Sequence, residues 1–250
     1  LLRLIMKKAL IAVLIITAII ISACAAPKGK SEEEKLRQQL KKWESFDSQG
    51  IAEVSYKSLA IRKMFSAAKN GSQLRFDLFD GGLLGSAGEP LLTMYLGDYV
   101  AVKSPFIPML ELLDFTHTAP LQSLKLSANT DSLIALYGER IIKNKKLELN
   151  GVTINFNKDY LLDSISEKEN QTRIQALYNS RGDLSELVVT TIDNIALRMS
   201  FDKIEYVQPQ IIPLPKPELS FTEDTLKGLN NLNLESLLKE FLQYKKEGQK

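Results

Sequence analysis

The residues whose types and spacing carry chemistry lie near the start of the chain. Ile21-Ser22-Ala23-Cys24 is an aliphatic residue, two small residues and then a cysteine. That order is the processing pattern of bacterial lipoproteins. The thiol is alkylated by diacylglycerol, and small residues before it let a peptidase reach the bond. The new amino group is then acylated. Several acyl chains make a stable anchor, since each buried methylene contributes about 0.8 kcal/mol. What precedes the cysteine fits: Lys7-Lys8 gives a basic start, and Ala9 to Ile21 is apolar apart from Thr17. This is the length of a signal-peptide core and short for a bilayer span, which needs roughly 20 apolar residues. The competing reading is a plain transmembrane helix that ends in a cysteine. The sequence is therefore expected to divide into a lipoprotein signal peptide at 1–23, a lipidated tether at 24–30, a main domain at 31–217 and a C-terminal helical extension at 218–250. Ala25, where an aspartate favours inner-membrane retention in proteobacteria, points towards the outer membrane.

Other chemistry is sparse. His117 is the one histidine and Cys24 the one cysteine, so neither an internal disulfide nor a Cys/His zinc set can form. A serine-histidine-acid set would have to use His117, which has no nucleophile elbow nearby. Gly81–Gly88 follows a strand pattern but opens no helix, so the dinucleotide-binding context is missing. Glu167 and Glu169 read as solvated acids on a turn. The expectation is a binding protein without catalytic residues, cofactor or metal. The formal net charge is +2, and Arg3, Lys7 and Lys8 of the leader account for it. No clustered basic face suggests nucleic acid. Removal of the leader leaves about 227 residues, enough for one large domain or two small ones.

The elements that must position any site begin at Ser31-Glu32-Glu33-Glu34, a capping box. Leu36, Leu40, Trp43 and Phe46 follow at helical spacing and predict an amphipathic helix. From Gln49 the period becomes two. Strands are expected at Leu59–Ala67 and Ser72–Phe79 around Asn70-Gly71, and at Leu91–Leu96 and Tyr99–Lys103 around Gly97-Asp98. Ile107–Phe115 reads as a short helix or lid, and Thr130–Tyr137 as a helix capped by Asn129 or Thr130. Strands resume at Lys146–Asn155, Tyr160–Ser166, Thr172–Asn179, Leu187–Thr191 and Ile195–Val207. That makes nine or ten strands, joined mostly by short turns and therefore antiparallel. Pro209, Pro213, Pro215 and Pro217 call for an extended exit. Beyond it, Leu234, Leu237, Leu238, Phe241 and Leu242 form an apolar stripe that packs on the domain or on a partner.

This order of parts resembles the LolA/LolB carrier superfamily. The resemblance rests on the helix with Trp43, the strand Gly50–Tyr56, Leu74-Arg75-Phe76-Asp77, the loop Gly82–Pro90, the Gly97-Asp98 hairpin, and Ile204-Glu205-Tyr206-Val207 with Leu214-Pro215. It covers about residues 36–217. It implies an α+β fold: a half-open, incurved antiparallel β-barrel whose open side is covered by helices around an apolar cavity. It also implies acyl chains of lipids or lipoproteins as cargo, lipoprotein localisation or lipid transfer as the role, and a periplasmic carrier protein as partner. Cys24 points within the superfamily to the LolB-like receptor, which is itself a lipoprotein facing the periplasm from the outer membrane. Leu83 and Leu84 match the loop where that receptor exposes a leucine to the membrane; the alternative is that both fold into the core. Arg75 matches the arginine that holds the lid of the soluble carrier, and reads equally as an outward strand residue. Candidate lining residues are Val54, Tyr56, Phe65, Phe76, Leu78, Leu92, Met94, Tyr99, Met109 and Leu112. The extension after Pro217 departs from the family pattern. A non-catalytic envelope scaffold, with a filled core and a docking C-terminal helix, is the second reading.

Overall fold

The computed structural model describes residues 31–56, 59–80, 89–116, 129–149, 151–168, 171–191 and 195–220. Cys24, the Leu83-Leu84 loop, His117 and the C-terminal stripe lie outside them.

Helix α1 spans Glu32–Lys41. Ser31 caps it, its Oγ accepting the Glu34 backbone N–H at 3.2 Å. Three glutamates occupy the positive end of the helix dipole and Lys41 the negative end. Leu36 and Leu40 are buried. The helix stops before Trp43, which sits in the following turn, its N–H donating to the Leu40 carbonyl. Phe46 already belongs to strand β1, Ser45–Tyr56. The sequence reading carried the helix through both residues and began the strand at Gln49. At this junction, a three-residue step from Trp43 to Phe46 looks helical but is a change of element.

The strands follow as β2 Leu59–Asn70, β3 Gln73–Phe79, β4 Leu92–Leu96 and β5 Val100–Lys103. Asn70 pairs with Gln73 across a two-residue turn in which Gly71 takes a φ of 57°. That conformation is ordinary for glycine and strained for most other residues. After β5 come a 3-10 turn at Pro108–Leu112 and a short strand β6, Leu113–Asp114. Helix α2 spans Thr130–Asn144, capped by Asn129, whose side chain accepts the Ser132 N–H at 3.0 Å. It runs past the expected end at Tyr137, because the buried stripe Leu133, Ile134, Gly138 and Ile141 continues through the glycine. Strands β7 Lys146–Leu149, β8 Val152–Phe156, β9 Leu162–Glu167, β10 Thr172–Tyr178, β11 Leu184–Thr190 and β12 Ile195–Glu205 complete the main sheet. Strand β13, Leu219–Ser220, pairs in parallel with β6.

Eleven strands form one sheet in the order β5-β4-β3-β2-β1-β12-β11-β10-β9-β8-β7. Every neighbouring pair is antiparallel. The chain meanders from the centre out to β5, crosses to β7 through α2, and meanders back. Pairing of β1 with β12 joins the halves. Strands β5 and β7 remain as edges, so the sheet is an incomplete α+β barrel. Irregularities at Gln49/Gly50, Asn155/Phe156 and Leu177/Tyr178 interrupt the ladder, and such bulges bend and twist strands.

Strand parity divides the sheet cleanly. Phe46, Ser48, Gly50 and Ala52 are buried, while Asp47 and Gln49 between them are exposed. The buried parity faces α1 and α2 and contributes to one core that includes Leu36, Leu40, Trp43, Phe65, Leu133, Ile141, Ile165 and Leu187. A smaller cluster of Tyr95, Ala101 and Leu214 lies on the opposite face.

Candidate functional site

Two aromatic groups fill much of the helix-covered face. Trp43 meets Phe46 and Tyr206 edge-on, with centroids 5.6 and 5.7 Å away. Further along, Phe65 stacks on Phe76 at 5.8 Å and meets Phe201 edge-on at 5.4 Å. Gly50 makes room for this second group: a Cβ there would lie 3.0 Å from the Phe65 ring and 2.0 Å from the Ser200 carbonyl. The helix end is also held by Lys69, which is buried and donates to the carbonyls of Trp43 at 2.6 Å and Glu44 at 3.3 Å. Burial, opposed by Glu44, pulls the Lys69 ammonium down to about 8.

Away from that end, the register aligns an apolar row across eight strands. Leu147 pairs with Ile154, Ile154 with Ile165, Ile165 with Ile174, and Ile174 with Val189. Val189 then pairs with Leu197, Leu197 with Val54, and Val54 with Ile61. Ile165, Ile174 and Val189 are buried, Leu197 and Ile61 partly so, and Val54 is 43% exposed. Burial therefore fades along one row of the core-facing side towards the long β1–β2 arm. At the edge of this surface Lys63, on the same parity, forms an ion pair with Asp80.

Of the candidate lining residues, Val54, Phe65, Phe76, Leu78, Leu92 and Met94 share this face by register. Phe65 and Met94 are buried, and Phe76, Leu78 and Leu92 partly buried. Tyr56 holds a position of the same parity in β1; its side chain, like that of Met109 in the 3-10 turn, lies outside what is described. Leu112 ends the 3-10 turn and is 48% exposed. Tyr99 is a correction. It lies on the opposite face against Tyr95, 5.0 Å between centroids, and its hydroxyl donates to the Leu214 carbonyl. The turn at Gly97-Asp98 precedes the strand, so Tyr99 follows the parity of Ala101 and Tyr95 rather than that of Met94.

Arg75 is also on that outer face. Its guanidinium donates to both carboxylate oxygens of Asp77 and to the Ile212 carbonyl at 3.0 Å. Among the described residues it holds no lid over the helix-covered side. Instead it fastens an extended strap, residues 207–218, that crosses the back of the sheet. Asn70 donates to Pro209 at 3.1 Å, and Leu214 and Pro217 are buried. Sequence reasoning missed the strap's bond partners and the second-half row of Ile165, Ile174, Val189 and Leu197. Their alternation was visible, but the partner strand was not.

No protein-family model matches the chain, and no curated protein matches its sequence. The comparison of folds does give matches. The chain is similar in fold to LolA superfamily proteins. A LolA superfamily protein from Nitrosomonas europaea matches with a TM-score of 0.39 at 6% identity, over 75% of this chain and 96% of that one. A putative outer membrane lipoprotein-sorting protein domain from Vibrio parahaemolyticus matches at 0.37 and 8%, over 70% and 93%. A DUF1329 family protein from Desulfovibrio piger matches at 0.32 and 9%, over 70% and 91%. Among the described residues, no group of three or more histidines, cysteines or acids could hold a metal, and no helix is long and apolar enough to cross a membrane.

Proposed function

We propose that this protein is an envelope lipoprotein, cut before Cys24 and anchored through it, that takes up lipid or lipoprotein acyl chains on the helix-covered face of its sheet. The observation that carries this reading is the apolar row from Leu147 to Ile61, whose exposure reaches 43% at Val54. An acyl chain laid along Leu197, Val54 and Ile61 would complete the core there. No covalent step is needed. A chain of about 16 carbons in water costs on the order of 10 kcal/mol, and transfer between two apolar sites avoids that cost. Leu83 and Leu84 are assigned to membrane contact during transfer, and the outer membrane facing the periplasm is the proposed location.

The test is native mass spectrometry of the full chain, expressed in cells and released from lipid nanodiscs. Co-purifying acyl lipid or acyl peptide, lost in Val54→Asp, supports the reading and identifies the cargo class. An apo mass with no uptake of fluorescent fatty acid or monoacylglycerol overturns it. That outcome favours the scaffold reading, for which the aromatic groups around Trp43 and Phe65 already speak, since they fill much of the same face.

A further inference from the structure

The two edges of the sheet are finished differently. At β5 the chain covers its own edge: Phe115 donates its N–H to the Val100 carbonyl, and the Thr116 hydroxyl accepts the Val100 N–H at 3.0 Å. At β7, among the described residues, no strand pairs on the side away from β8. The ladder tells which groups that leaves. Lys146, Leu147, Glu148 and Leu149 pair with Asn155, Ile154, Thr153 and Val152. One step earlier, the Phe156 N–H donates to the Lys145 carbonyl at 2.8 Å. Hydrogen-bonded pairs alternate along an antiparallel ladder. Leu147 and Leu149 therefore bond to β8, and the N–H and C=O groups of Lys146 and Glu148 turn to the open edge. Such an edge is a template for another strand. Its two outward side chains, Lys146 and Glu148, are exposed and form an ion pair along the strand. A lysine alone on a short edge strand discourages pairing. An acid two residues on changes that.

We propose that β7 is a docking edge for a second copy of this chain: two β7 strands pair antiparallel about Leu147, each Lys146 opposite the partner's Glu148. The inference is independent of the acyl-binding reading. Charge complementarity selects the second copy. Lys-Leu-Glu set against itself in this register puts opposite charges face to face on both sides of Leu147. A parallel copy in register would put like charges opposite, which is destabilising. The backbone agrees with the charges. Lys146 and the partner's Glu148 both present N–H and C=O groups to the junction, so they exchange two hydrogen bonds. By symmetry, Glu148 and the partner's Lys146 exchange two more. The contact is isologous and closes with two copies. It is small, of the size of a transient interface. On the core-facing side, Leu147 meets the partner's Leu147, so the apolar rows of the two copies join end to end. Arg140, on α2, is close enough to act on the Glu148 carboxylate, and it is left in place in every variant below.

The test is sedimentation equilibrium of the full chain in density-matched detergent micelles, from micromolar to submillimolar concentration. The wild type is expected to dimerise and to form nothing larger. Lys146→Glu and Glu148→Lys each set like charges opposite at two symmetry-related places. Each variant alone should therefore weaken the dimer on the order of tenfold. Mixed in equal amounts, the two should recover it, because each supplies the charge that the other lacks. One chain carrying both substitutions should recover it as well. Glu148→Pro takes an N–H from the open edge and none from the β7–β8 ladder, so it should abolish the dimer and leave the thermal transition in place. If that variant loses its fold, the mixing experiment decides. A monomer at every concentration overturns the proposal. A dimer indifferent to the charge variants overturns it too, since its interface lies elsewhere. Growth into larger oligomers overturns the closed, two-copy contact.

Discussion

Arg75 grips Asp77, two residues along the same strand, through its Nε at 2.8 Å and one terminal nitrogen at 3.1 Å. Thr93 donates to the same carboxylate at 2.6 Å, and the free end of the guanidinium reaches the Ile212 carbonyl at 3.0 Å. Asp77 is thus the part that aims Arg75 at the strap. Arg75→Ala leaves a mostly buried carboxylate with one side-chain partner, a loss of about 1–3 kcal/mol. The expected signature is local. Amide exchange across residues 209–217 speeds up, while protection in β1 and β12 is retained. Unchanged exchange in the strap would mean that Leu214 and the prolines hold it alone.

Lys69 gives a pH dependence with an uncommon sign. Its folded-state value, about 8, lies below the ordinary 10.5 because the ammonium is buried. Between those values the unfolded chain holds a proton that the folded chain has released, so stability rises as pH increases from 8 to 10.5. The full gain is on the order of 3 kcal/mol. Chemical denaturation at several pH values should show this rise in the wild type and its absence in Lys69→Met.

Glu32 acts at the other end of the scale. Lys35 and then the Tyr160 hydroxyl, 2.5 Å away, stabilise its carboxylate and hold it at about 2. Its contribution is complete above about 4.5 and is lost as pH falls towards 2. In acid titrations followed by circular dichroism, Glu32→Gln should therefore lose stability less steeply than the wild type over that range. The same bond raises the Tyr160 phenol, whose burial already disfavours the anion.

Gly50 tolerates no side chain. Its Cβ would stand 2.0 Å from the Ser200 carbonyl oxygen, which is backbone and cannot swing away. Gly50→Ala must push β1 from β12 at the bulge that joins the two halves of the sheet. The expected cost is about 3 kcal/mol, at the upper end for overpacking, read as a lowered denaturation midpoint. A change below about 0.5 kcal/mol, the scale of an inert surface site, would show that the β1–β12 junction yields easily.

Much of this protein was already written in the order of its residues. Alternation is a local property of a strand, so the many strands and the antiparallel meander were legible; the half-open α+β architecture was expected only from the resemblance to the LolA/LolB superfamily. Also legible were the cap at Ser31, the Asn70-Gly71 turn and the extended proline segment, each fixed by neighbours a few residues away. What could not be read locally was the pairing of β1 with β12, about 150 residues apart in the chain. That contact alone brings Val54 beside Leu197 and extends the apolar row into the second half. Parity could not place Tyr99 either, because the turn before it resets which side faces the core. For Arg75 the sequence left two roles open, and the fold chose between them by laying Ile212 across the outer face. Local chemistry determined the elements of this chain; long-range register, which depends on how the two halves meet, decided which side chains share a surface.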